Sequence, residues 1–141
     1  VFLNGKNNSS INIEETILKI NSKIKIFNSV YEIKNLDKLD KNSNYLIFSG
    51  IGDPSSFKEI LIENNINVIK EKIFTDHYIY KKADVKNIIE DAKKINAKIL
   101  TTEKDFVKLS DNTTGEINYL KIELKIKEEQ KFINFLNEKL N

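Results

Sequence analysis

Tyr45-Leu46-Ile47-Phe48-Ser49-Gly50-Ile51-Gly52-Asp53-Pro54 is the stretch that decides how the chain is read. Its apolar run has the form of a strand buried on both faces of a parallel sheet. The two glycines that follow mark a tight turn. Pro54 suits the first turn of a helix, where its missing N–H costs little. Beyond it Phe57, Ile60 and Leu61 make the inner stripe of that helix, and Asn64-Asn65 ends it. A strand-to-helix junction of this kind turns backbone N–H groups toward solvent at a helix N-terminus, where phosphates and other anions are held.

Downstream the alternation continues. Val68 to Phe74 predicts the next strand, stopped by Thr75-Asp76-His77. Val85, Ile88, Ile89, Ala92 and Ile95 lie on one stripe of a helix over Ala83 to Asn96. Lys98 to Leu100 begins another strand, closed by Thr101-Thr102-Glu103-Lys104-Asp105, and a short helical turn over Phe106 to Leu109 follows. Strand, helix, strand, helix, strand implies right-handed crossovers and an α/β fold, a mostly parallel, Rossmann-like sheet with helices on its faces. Ligands of such sheets sit at the carboxyl ends of the strands. The polar clusters Ser49–Pro54, Thr75–Tyr78 and Thr101–Asp105 each follow a strand, so all three should gather along one edge.

The flanks are simpler. Val1 to Leu3 reads as the end of a strand, Ser9 and Ser10 as helix N-cap chemistry, and Ile13, Ile17, Leu18 and Ile20 as the apolar face of a short helix. Lys23 to Ile33 reads as a strand or strand pair and Leu36 to Asn44 as a polar connector. Asp111 to Gly115 is a turn-rich loop, Ile117 to Ile126 one strand exposed on one face, and Glu128 to Leu140 a final helix.

Composition narrows the function. With 141 residues, 40% hydrophobic and 31% charged, the chain has the size and balance of one ordinary globular domain. No apolar run approaches the roughly 18 to 20 residues of a membrane span. Formal net charge is +2 with both signs interspersed, and every basic residue is Lys. The guanidinium fork favoured for phosphate and guanine recognition is missing, which argues against a nucleic-acid partner. Without Cys there is no disulfide or thiolate metal site, and a reducing cytoplasm is the default. The chain begins at Val1 and has no Met, so it is read as a piece of a longer protein. Its wealth of Lys, Asn and Ile reflects codon bias in an AT-rich genome.

Three places could carry chemistry. Gly50 and Gly52 resemble a phosphate loop only in part: the dinucleotide pattern needs a further glycine where Ser55 stands, and the Gly-Lys-Ser/Thr of a P-loop occurs nowhere. The structural alternative is a tight turn with Asp53 or Ser55 capping the helix. His77, the only histidine, follows Asp76 in a polar segment. Its ordinary pKa suits general acid–base work, and the alternative is an ordinary loop residue. A metal site is not expected, because no second His or Cys is available. Glu103, Lys104 and Asp105 either cap the short helix and pair locally, or place Lys104 to steer an anionic group to the edge that holds His77.

Taken together, Phe48-Ser-Gly-Ile-Gly-Asp-Pro54 with Phe57, Phe74-Thr-Asp-His77, and Thr101-Thr-Glu-Lys-Asp105 with Lys108 resemble the C-terminal half of the tetraacyldisaccharide 4'-kinase family. Order and spacing match over Tyr45 to Leu109. That family more often has Asn at the position of Asp53, Pro at Thr75 and a second His at Tyr78; the Asp-His pair is kept. The resemblance implies ATP- and Mg²⁺-dependent transfer of the γ-phosphate to the 4'-hydroxyl of a tetraacyldisaccharide 1-phosphate, a lipid A precursor. It places the reaction at the cytoplasmic face of the inner membrane of a Gram-negative bacterium.

Residues 1–141 would then be the C-terminal domain of a two-domain kinase, inactive alone. The P-loop, the Mg²⁺ ligands and the membrane-associating helix would belong to an N-terminal kinase domain, its partner. His77 and Asp76 are the implied catalytic pair, acting with an aspartate of that other half. Glu103, Lys104, Asp105, Gly50 and Gly52 would shape the cleft, and no metal ligand is expected in this chain. The alternative is a non-catalytic α/β binding or interaction module from a split or decayed gene.

Overall fold

The computed structural model describes residues 1–4, 7–109 and 115–140. Two compact units are formed, one from residues 1–33 with 122–141 and one from residues 34–121.

The second unit holds the predicted sheet. Strands β3 (Asn44–Ser49), β4 (Asn67–Ile73), β5 (Lys98–Thr102) and β6 (Ile117–Leu120) follow the order β4-β3-β5-β6. All neighbouring pairs are parallel. Helices α2 (Pro54–Glu63) and α3 (Lys82–Lys94) make the crossovers from β3 to β4 and from β4 to β5, and the short α4 (Glu103–Phe106) follows β5. The chain leaves β3 toward one side for β4 and returns to the other for β5. The carboxyl ends of β3 and β5 therefore flank the point where strand order reverses, the usual ligand crevice of open α/β sheets.

Burial follows the strand period of two. Leu46, Phe48, Ile99 and Ile117 form one core with Val85, Ile88 and Ala92 of α3, while Tyr45, Ile47 and Leu100 are buried on alternate positions. A strand buried on both faces has no polar alternation to show, and β3 has none.

Helix ends follow local chemistry. Asp53 accepts from Ser56 N at 3.2 Å and so caps α2, with Pro54 in its first turn. Asn65 and Asn96, just past α2 and α3, take φ of 61° and 50°, the left-handed stop that Asn tolerates.

Several expectations are corrected. The short helix begins at Glu103, not Phe106, because Thr102 Oγ1 accepts from Asp105 N at 3.1 Å and starts it three residues sooner. The span 36–44 carries a 3-10 turn at Leu36–Lys38 and the buried Leu39. Ile117 to Ile126 is not one strand: β6 ends at Leu120, and β7 (Ile122–Ile126) belongs to the other sheet. The break at Lys121 is made from far away in sequence. Asn35 Nδ2 donates to Tyr119 O at 2.8 Å, and Asn35 Oδ1 accepts from Lys121 N at 2.8 Å. The expected loop at Asp111 to Gly115 lies, apart from Gly115, outside the described residues.

The first unit is a three-stranded sheet, β1 (Phe2–Asn4), β2 (Phe27–Ile33) and β7, with β1 parallel and β7 antiparallel to β2. Helix α1 (Asn7–Ile20) begins before Ser9 and Ser10, so these lie inside it and are not its cap. A single strand replaces the longer strand or pair expected from Lys23. Helix α5 (Glu129–Leu140) brings Phe132 against Phe2 and Phe27, ring centroids 4.9 and 5.0 Å apart, and Phe135 against Phe27 at 5.4 Å.

Three carboxylates of the second unit are held well below the usual range, from 3.8 to about 2: Asp40 chiefly by Ser43 and Lys98, Asp53 by Ser55 and Ser56, Asp91 by Lys72 and Lys70. A depressed folded-state pKa stabilises the fold when the group is ionised. The contribution is complete above the unfolded value and is lost as the pH falls through about 2. Denaturant titrations at stepped pH should show stability falling across this acidic window. Replacing all three by Asn should lower stability at neutral pH and flatten the dependence; an unchanged slope would refute the assignment.

Candidate functional site

All three polar clusters meet at the carboxyl edge of the parallel sheet. The strongest link among them is Asp105, whose carboxylate is wholly buried. Its Oδ2 accepts from Gly50 N at 2.9 Å and from Thr102 Oγ1 at 2.9 Å, and its Oδ1 faces Lys108 Nζ at 2.8 Å. A buried charge is tolerable only when paired and hydrogen-bonded, and this one is both. The loop after β3 is thereby tied to α4 across the reversal point.

The loop after β4 is tied to the same place. Phe74 N donates to Ser49 O at 2.8 Å. Phe74, Tyr78 and Tyr80 pack on one another and on Phe48, with the Phe48–Tyr80 centroids 5.4 Å apart and the Phe74–Tyr78 centroids 4.7 Å apart. The chain crosses so close to Gly50 that an added Cβ would meet Thr75 O and Tyr80 Oη at 3.1 Å. Glycine at position 50 is thus explained by the passage of the neighbouring loop. Tyr80 Oη is buried without a hydrogen-bond partner of good geometry. Burial first, then the Asp105 carboxylate beside it, pushes this phenol far above its ordinary pKa.

The segment so held presents Asp76 and His77. His77 has φ of 59°, a left-handed conformation uncommon for a residue with a side chain, though His is among the residues enriched there. Asp76 Oδ1 accepts from His77 N at 2.9 Å, and Tyr78 N donates to Thr75 O at 3.1 Å. Asp76 Oδ2 lies 3.6 Å from His77 Nε2, and Asp76 Oδ1 lies 3.6 Å from Lys104 Nζ. Gly52 flanks the same carboxylate, an added Cβ standing 3.6 Å from Asp76 Oδ2. The His77 side chain is 76% exposed.

Five of the residues singled out in sequence therefore come together: Asp76 between His77 and Lys104, with Gly52 beside the Asp76 carboxylate and Gly50 against the passage of Thr75 and Tyr80. Asp105 belongs to the buried tie. Glu103 lies in the first turn of α4, half-buried. Tyr78, where the family more often has a second His, donates its hydroxyl to Asp84 Oδ2 at 3.0 Å and so serves the start of α3. That hydrogen bond, with burial second, raises the Tyr78 pKa.

The Ser49–Pro54 loop is not a free anion cradle. Gly50 N is taken by Asp105, and the Asp53 carboxylate takes the hydroxyls of Ser55 and Ser56 at 2.6 and 2.5 Å. Among the described residues no group of three or more His, Asp or Glu side chains could hold a metal ion, and no helix is long and apolar enough to cross a membrane.

The model of the tetraacyldisaccharide-1-P 4'-kinase family matches residues 1–141. The chain belongs to that family. It is 44% identical over 136 residues to the tetraacyldisaccharide 4'-kinase of Pelagibacter ubique, covering 96% of this chain and 43% of that one. With the enzyme of the same name from Rickettsia canadensis it shares 42% over 110 residues, 77% of this chain and 32% of the relative. The chain thus spans less than half the length of these curated relatives. A crystal structure of LpxK from Aquifex aeolicus in complex with ATP has a TM-score of 0.53 at 18% identity, covering 97% of this chain and 50% of that one. At that identity the likeness is one of fold, and the α/β fold expected from sequence stands.

Sequence reading missed Tyr80 and the depth of Asp105. The second had a signal: Thr102-Glu-Lys-Asp105 has the spacing of a capping box. Tyr80 had none, because its role depends on where the chain crosses Gly50. Asp105→Ala should cost about 3 to 5 kcal/mol in chemical denaturation, since it strands Gly50 N and Lys108 without a partner. A cost below about 1 kcal/mol, the range of an exposed ion pair, would refute the buried tie.

Proposed function

We propose that this chain is the C-terminal part of a lipid A 4'-kinase. The complete enzyme transfers the γ-phosphate of ATP to the 4'-hydroxyl of a tetraacyldisaccharide 1-phosphate, and the chain contributes His77 to that reaction. The observation that carries the reading is the Asp76–His77 turn. Its histidine is held in an unfavourable backbone conformation at the carboxyl edge of a parallel sheet, and strain of this sort gathers at functional sites.

In this reading neutral His77 accepts the proton of the sugar hydroxyl as its oxygen bonds to the γ-phosphorus and the bond to the leaving ADP breaks. Asp76 beside Nε2 stabilises the imidazolium so formed. An aspartate of the remaining sequence shares the task. Phosphoryl transfer leans on positioning and charge stabilisation, and a group that orients or deprotonates the nucleophile completes it. ATP and Mg²⁺ are held by the N-terminal kinase domain, which also makes peripheral contact with the cytoplasmic face of the inner membrane. Glu103, Lys104, Gly50 and Gly52 line this chain's side of the cleft, and Asp105 supports it from beneath.

Support comes from the family membership and from the way three loops converge on the carboxylate beside that histidine. In the complete enzyme, His77→Ala should lower kcat by about 10²- to 10⁴-fold, the usual contribution of a general base, with ATP affinity unchanged. Unaltered turnover would sink the assignment.

A second measurement bears on the division of labour. Calorimetry with the 141-residue chain should show no micromolar ATP binding, given that its loop amide and carboxylate are already engaged. Tight binding would overturn the roles given to the two halves.

A further inference from the structure

Asp76 faces two basic groups, the imidazole of His77 on Oδ2 and the ammonium of Lys104 on Oδ1, each at 3.6 Å. The two sides come from different elements. His77 sits on the loop after β4, whereas Lys104 sits on α4. The buried tie of Asp105 to Gly50 N fixes where α4 lies, and the stitch from Phe74 N to Ser49 O fixes the loop. Lys104 is therefore delivered to Asp76 by the fold. It is not a neighbour along the chain.

We infer that Lys104 is a positioning residue for His77, acting through Asp76. This rests on the reading of His77 as proton acceptor. The ammonium holds the carboxylate by one oxygen, so that the second oxygen faces the imidazole.

The other ionisable groups on these elements are engaged elsewhere or lie aside. Asp53 is taken by Ser55 and Ser56. Asp105 and Lys108 pair with each other in and beside the buried tie. Tyr78 donates to Asp84. Glu103, on the same short helix, has the opposite sign to Lys104 and cannot substitute for it.

Lys104→Met removes the group that holds the carboxylate on its far side, and Asp76→Asn removes the charge that Lys104 holds. Lys104→Arg keeps the charge and reaches the same carboxylate.

The test is the split between kcat and KM in the complete enzyme for these variants, for His77→Ala, and for His77→Ala combined with Lys104→Met. kcat should fall about fivefold in Lys104→Met, recover most of that loss in Lys104→Arg, and fall no further when Lys104→Met is added to His77→Ala, because a residue that acts through the imidazole has nothing to act on once it is gone. The KM for ATP should stay near that of the parent enzyme in both Lys104 variants.

An unchanged kcat in Lys104→Met overturns the inference, as does an equal loss in Lys104→Arg or a further loss when Lys104→Met is added to His77→Ala. A raised KM with kcat unchanged also overturns it, by making Lys104 a direct substrate contact. If His77→Ala keeps full turnover, the catalytic reading itself has failed. If His77→Ala is impaired and Lys104→Met keeps the parent kcat, only the role of Lys104 has failed.

Discussion

One buried hydrogen bond, from the amide of Gly50 to the carboxylate of Asp105, organises the functional edge of this protein. It spans the place where strand order reverses, so it joins two loops that the sheet itself leaves apart. In many open α/β sheets that crevice receives the phosphate of a ligand. Here the chain fills the position with its own anion. The amide that would greet a phosphate greets Asp105 instead, and Thr102 and Lys108 complete its shell. The same contact therefore removes one function from the glycine turn and supplies another, a rigid floor.

On that floor the third loop is laid. Aromatic rings do most of this work: Tyr80 and Phe74 pack around Phe48 in edge-on pairs, each such pair being worth about 0.5 to 1.5 kcal/mol beyond its burial. The close passage over Gly50 leaves no room for a Cβ, so the glycine is dictated by packing. A ring cluster of this kind resists rotation of the loop, which a purely hydrogen-bonded turn does not.

How much of this was legible in the sequence depends on how local each cause is. Asp53, Pro54 and Asn65 act within one helical turn, and the extent of α2 was read from them almost residue for residue. The parallel core was legible because Tyr45 to Phe48 is apolar at every position, which only a doubly covered strand explains. By contrast, the split between β6 and β7 was not read, since the alternation from Leu120 to Ile126 runs straight through Lys121. The side chain of Asn35, far off in sequence, makes the break. Likewise the gathering of the three polar clusters followed from the alternation of elements, while the pairing of Asp76 with Lys104 needed coordinates. Topology predicts neighbourhoods, and side-chain reach decides partners.

The presentation of His77 and its reactivity have different origins. Presentation is a property of these residues. A left-handed histidine costs of the order of 1 kcal/mol or more, and the Asp76 side chain, the Thr75–Tyr78 turn and the aromatic cluster hold it there. Reactivity is another matter. With 76% of the side chain in solvent, the imidazole is hydrated, and the Asp76 carboxylate 3.6 Å away acts on it through something close to water, at about 1 kcal/mol. Donors and charges aimed at a transition state gain most of their strength when water is excluded. On the proposed reading the surface that dries this site comes from the acceptor or from sequence beyond these residues. Closure would then strengthen a charge arrangement that the loops have already set.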